Sequence, residues 1–136
     1  MSQWFFYTLI AMLMWGFWGF FSKLATSVLR DTDAYIYELT GTLVVGLVMV
    51  FLLRFHPGGK PVGIFYGLLS GIAVGVGSYF FFYAIARGRS AVVVTVTAMY
   101  PLVTLLLSQL LLHESLSLKQ ALGIGLAIGA ILLLST

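Results

Sequence analysis

Two charged side chains lie inside otherwise apolar stretches of this sequence: Lys23 within residues 4–29 and Glu38 within residues 34–54. A charge inside such a run is costly in a membrane unless it is paired or hydrated, so its presence asks for a role. Lys23 falls seven residues before Arg30, and Glu38 five after Asp33. As helices, the two runs would hold both charges one to two turns below the same surface. Three roles stand open for them. They form a structural ion pair, with Lys23 able to snorkel instead. Glu38 exchanges protons and couples them to transport. Glu38 binds a cationic substrate directly. The structural reading is favoured, because neither charge reaches mid-membrane depth.

A hydroxyl stripe is the second candidate. Ser90, Thr97, Pro101, Thr104 and Ser108 recur at spacings of seven, four, three and four, with Tyr100 at the edge. That is the helical period. A polar stripe in an apolar span faces protein or a wet cavity rather than lipid. Its hydroxyls would hydrogen-bond a polar substrate without fixing its charge. The bland alternative is that each hydroxyl bonds the carbonyl one turn back. Trp15 and Trp18 form the third group. Membrane tryptophans favour interfaces, and Trp4 fits that rule, but these two lie near mid-span, where an indole N–H needs a partner. Their faces would suit an organic cation or a stacking metabolite; core packing is the competing use. Tyr79 and Tyr83 read the same way, whereas Phe80, Phe81 and Phe82 read as packing or lipid contacts.

Other chemistries lack their residues. The chain has no cysteine, so disulfides, iron–sulfur clusters and thiol catalysis are excluded. His56 and His113 sit in turns without metal-ligand spacing, so no metal site is expected. No nucleophile–base pair, paired carboxylates or phosphate-binding glycine loop is present. The chain is therefore read as a non-enzyme without cofactors. A net charge of +3 makes no basic patch for nucleic acid. Glu114 reads mainly as a turn residue, and Ser117 with Gln120 fits a capping box.

The elements that must position these residues are membrane helices. Of 136 residues, 61% are hydrophobic and 8% are charged, against about 25% charged in soluble domains. Five apolar runs emerge, at about residues 4–29, 34–54, 62–87, 90–112 and 116–135. The fourth is uncharged and would make roughly 35 Å of helix, enough for a hydrocarbon core of about 30 Å. Pro101 near its middle removes a backbone donor and clashes with the Thr97 carbonyl, so a bend or break is expected there, serving as a hinge. The last run is the least secure, since Lys119 falls early in it, though it can snorkel. The first run is too long for a cleavable leader and has no basic residue before it. The expected fold is all-α, one multi-pass domain spanning residues 1–136. Gly63, Gly67, Gly71 and Gly75 recur every four residues, as do Ala121, Gly125 and Gly129. Small residues so spaced let helices pack closely in lipid, within the chain or between chains.

Positive charge gives no clear orientation. Arg54, Lys60 and Lys119 fall on one side of a five-span chain, and Arg30, Arg87 and Arg89 on the other, with Lys23 near the latter. Orientation follows Lys/Arg bias, and here the bias nearly vanishes. Either chains insert both ways and pair antiparallel, or weaker cues or a partner fix one orientation.

The C-terminal half carries a resemblance. An apolar helix with a mid-helix proline (Tyr100-Pro101), a short turn with Glu114, and Ser117-Leu118-Lys119-Gln120-Ala121-Leu122-Gly123 opening a Gly-rich helix resemble an EamA-type domain, the repeat of the drug/metabolite transporter superfamily. The resemblance implies one five-helix repeat of a fold that in full-length relatives has two, in inverted orientation. An antiparallel homodimer would rebuild that ten-helix architecture, with a small-molecule site near the midplane. It implies a multi-pass protein of the inner cell membrane moving metabolites or drug-like molecules. Four-helix multidrug pumps, distant relatives, carry an essential Glu in their first helix; this chain has none there, so their mechanism does not transfer. A flippase for lipids or lipid-linked sugars, and a non-transporting subunit packed on a larger partner, are the alternatives.

Overall fold

The computed structural model describes residues 3–56, 58–112 and 117–135. His113, Glu114 and the side chain of Gln120 lie outside them. Every regular element among the described residues is an α-helix, as apolar segments in lipid require, because a helix satisfies its own backbone. The chain divides into two compact units, Met1–Arg87 and Gly88–Thr136.

The N-terminal unit holds α1 (Gln3–Val28), α2 (Asp31–Leu52) and α3 (Pro61–Arg87). Asp31 and Asp33 lie in the first turn of α2, where negative charge suits the helix dipole. Arg30 precedes them and pairs with Asp33, Nε to Oδ2 at 2.8 Å. That hydrogen bond holds the Arg30 guanidinium above its ordinary pKa. At the other end of α2 the chain closes in a Schellman motif: Arg54 N–H donates to the Phe51 carbonyl and Phe55 N–H to the Val50 carbonyl. The motif places Arg54 at φ 47°, where glycine is usual. Pro61 opens α3, using the first helical position that needs no N–H donor.

Packing in this unit is concentrated at one end. The buried residues are Gly19 and Ser22 of α1, Ala34 of α2, and Ser78, Phe81, Phe82 and Ile85 of α3. Small side chains on α1 and α2 thus share a core with large ones on α3. The opposite end carries exposed apolar residues such as Leu47, Phe51 and Phe65, which suit a lipid solvent.

The C-terminal unit holds α4 (Ser90–Thr97), α5 (Tyr100–Leu112) and α6 (Leu118–Ser135). The fourth apolar run is broken, as Pro101 led one to expect, and the break lies just before the proline at Ala98 and Met99. α4 packs on α6, and a cavity of about 310 Å³ lies beside the break. By length and composition α1, α2, α3 and the combined Ser90–Leu111 segment can each cross a membrane. The fifth expected run corresponds to α6, whose apolar stretch Ala121–Ala130 is shorter.

Candidate functional site

The N-terminal unit gathers a carboxyl, a hydroxyl and a set of aromatic rings. Tyr35, Glu38 and Thr42 follow at spacings of three and four on α2, so they share one face. Thr42 Oγ1 donates to Glu38 Oε1 across 3.4 Å, a long and weak bond. Trp18 of α1 gives the same carboxyl a lesser polar contact. Glu38 Oε2 is buried and has no hydrogen-bond partner among the described residues.

Trp18 also packs against α3. Its ring stacks on Phe81 of α3 with centroids 4.3 Å apart and planes at 28°. Tyr35 bridges α2 and α3: its hydroxyl donates to the Gly75 carbonyl at 3.0 Å, and its ring meets Tyr79 edge-on at 5.5 Å. A side chain at position 75 would begin 4.0 Å from that hydroxyl. Of the glycines expected to pack helices, Gly75 alone has such a neighbour within 4 Å; Gly67, Gly71, Gly125 and Gly129 have open space beside them.

The two charges inside the spans are engaged separately. Lys23 Nζ donates to the Ile85 carbonyl at 2.9 Å. That carbonyl lies in the last turn of α3, where acceptors lack intrahelical donors and the dipole favours a cation. Lys23 thereby caps α3, while Glu38 takes its contacts from Thr42 and Trp18.

Trp15 is 61% exposed. Tyr83 lies under the Arg87 guanidinium, 3.6 Å from ring centroid to Cζ. In the C-terminal unit Thr97 Oγ1 donates to the Val93 carbonyl at 2.8 Å, and Thr104 Oγ1 to the Tyr100 carbonyl at 3.4 Å. These hydroxyls spend their protons on their own helix, as the bland reading allowed, and keep lone pairs as acceptors. Tyr100 is exposed.

The sequence reading passed over Tyr35 and Thr42, and took Phe81 for a packing or lipid contact without identifying Trp18 as its partner. A signal for the first two existed, since Tyr35, Glu38 and Thr42 have the spacing of one helical face. Nothing in the local sequence separates Phe81 from exposed Phe80, because only the neighbouring helix distinguishes them.

The sequence matches the EamA-like transporter family over residues 2–136. An uncharacterized protein of Methanocaldococcus jannaschii is 40% identical over 70 residues, covering 52% of this chain and 51% of that protein. The match thus spans about half the length of that curated relative. No solved structure matches.

Proposed function

The chain belongs to the EamA-like transporter family, and from that premise we propose that it moves small metabolites or drug-like molecules by alternating access in an antiparallel homodimer. The family match over residues 2–136 carries the transport reading. Membership and several apolar helices make it a multi-pass membrane protein, and the inner cell membrane is the proposed location. The near-balance of Lys and Arg on the two sides supports insertion in both orientations. Two oppositely oriented copies would form inverted repeats around a shared site. The proposed lining is Trp18 and Tyr79 with Trp15, Tyr83, Thr97, Tyr100 and Thr104, and Pro101 is the proposed hinge. Glu38 is the proposed coupling or substrate-binding carboxyl, because an ionisable group within a span, one oxygen unpartnered, fits a transport pathway.

Topology tests the dimer. The chain has no cysteine, so Ser2→Cys and Thr136→Cys variants can be labelled with an impermeant thiol reagent before and after lysis. Partial outside labelling of each terminus, completed on lysis, is expected. Full outside labelling of one terminus and none of the other means a single orientation and sinks the inverted homodimer. Glu38→Gln tests the carboxyl: in liposomes it should abolish pH-gradient-driven solute flux while leaving helix content intact, and unchanged flux removes Glu38 from the pathway.

A further inference from the structure

We infer that the cavity beside the α4–α5 break binds a small, neutral, mostly apolar molecule bearing one hydrogen-bond donor. Pro101 has no N–H for the Thr97 carbonyl. Leu102 N–H donates to Met99 at 2.8 Å rather than to Ala98, and Met99 N–H donates to Val96 at 3.1 Å rather than to Thr95. The carbonyls of Thr95, Thr97 and Ala98 have therefore lost the donors a continuous helix would give them. Inside a membrane span such groups need a replacement from protein, water or ligand.

Ala98 lines the cavity, together with Met99, Pro101, Leu105, Gly123 and Ala127. The cavity thus has in its wall, among apolar residues, one residue whose carbonyl lacks its helical donor. Its volume of about 310 Å³ is at the small end of ligand pockets, which suits a single ring or a short chain. The head group is neutral on physical grounds. α4 ends at the cavity, and a helix C-terminus attracts cations. That attraction is smaller than the cost of a charge in hydrocarbon, and none of the lining residues is acidic. A hydroxyl or neutral N–H meets the carbonyl without that cost. Gly123 and Ala127 matter because larger side chains at those positions would fill the space. The site is independent of the dimer and of transport, so its test reads binding alone.

The test uses the full chain in nanodiscs and fluorine NMR of 4-fluorophenol, with fluorobenzene as the analogue lacking a donor. Wild type should bind 4-fluorophenol saturably and roughly fivefold more tightly than fluorobenzene, one hydrogen bond's worth. Ala127→Leu should abolish saturable binding of both probes. Pro101→Ala restores an N–H and lets Leu102 return to Ala98, so it should keep binding but lose the phenol preference, with helix content checked by circular dichroism. Equal affinity of the two probes for wild type, or undiminished binding by Ala127→Leu, overturns the proposal. Tighter binding of 4-fluorobenzylammonium than of 4-fluorophenol overturns the assignment of a neutral head group.

Discussion

Arg87, the last residue of α3, reaches the first residue of α2: its Nη1 lies 2.7 Å from Asp31 Oδ2. The same nitrogen accepts no other role than donor and also bonds the Tyr83 carbonyl at 2.9 Å, while the guanidinium covers the Tyr83 ring. One side chain therefore ties two helix ends of opposite dipole at the packed end of the N-terminal unit. Asp31→Asn or Arg87→Gln alone should lower stability only slightly, because water screens a pair this exposed. The charge exchange Asp31→Arg with Arg87→Asp should recover only part of that loss, since each new charge opposes its helix dipole. A double-mutant cycle on unfolding in detergent measures the coupling, and strict additivity would deny the contact any energetic role.

Phe80 and Phe82 test which face of α3 is packed. Phe82 is 2% exposed and Phe80 63%. Phe82→Ala should cost about 3–5 kcal/mol through lost contacts and a cavity, whereas Phe80→Ala should fall within about 0.5 kcal/mol of wild type. Denaturant titration of helix content discriminates them, and equal costs would contradict the packing.

Arg54 holds a left-handed backbone that costs a non-glycine residue roughly 1–2 kcal/mol. Arg54→Gly should stabilise the end of α2 by up to about 1 kcal/mol after the entropy of glycine is subtracted. Hydrogen exchange at Phe55, whose N–H closes the Schellman motif, should slow; faster exchange would count against the assignment.

Gly75 and Gly67 separate packing within the chain from packing between chains. Gly75→Leu should crowd the Tyr35 hydroxyl, because the first added carbon already makes van der Waals contact with it at 4.0 Å and the rest of the side chain extends beyond that carbon, and should lower stability. At Gly67 the first added carbon meets no neighbour within 4 Å in the chain, so Gly67→Leu should cost much less monomer stability than Gly75→Leu. If the glycine face serves the proposed dimer, Gly67→Leu should nevertheless weaken self-association, read by energy transfer between labelled copies in liposomes. Undiminished transfer would take Gly67 out of the interface.

Much of the fold was legible because the bilayer leaves few options. Long apolar runs must be helices, loops must hold the charges, and a proline mid-run must interrupt its helix. The break did appear before Pro101, and four segments proved long enough to span. The site was legible only in part. Trp18, Glu38 and Tyr79 were chosen by type, and the N-terminal unit draws them toward one cluster through Tyr35, Thr42 and Phe81. Tyr83 was chosen by the same rule and lies beneath the Arg87 guanidinium.

The sequence by itself determined the all-helical class, where the apolar runs fall, the interrupted fourth run and the family resemblance, because each depends on local composition and covalent geometry. The tertiary structure decided the partners. Lys23 caps the end of α3, Glu38 meets Thr42 and Trp18, and Arg87 takes Asp31. Those pairings depend on helix rotation, and a few tens of degrees of rotation exchange one neighbour for another without changing the periodicity of the sequence.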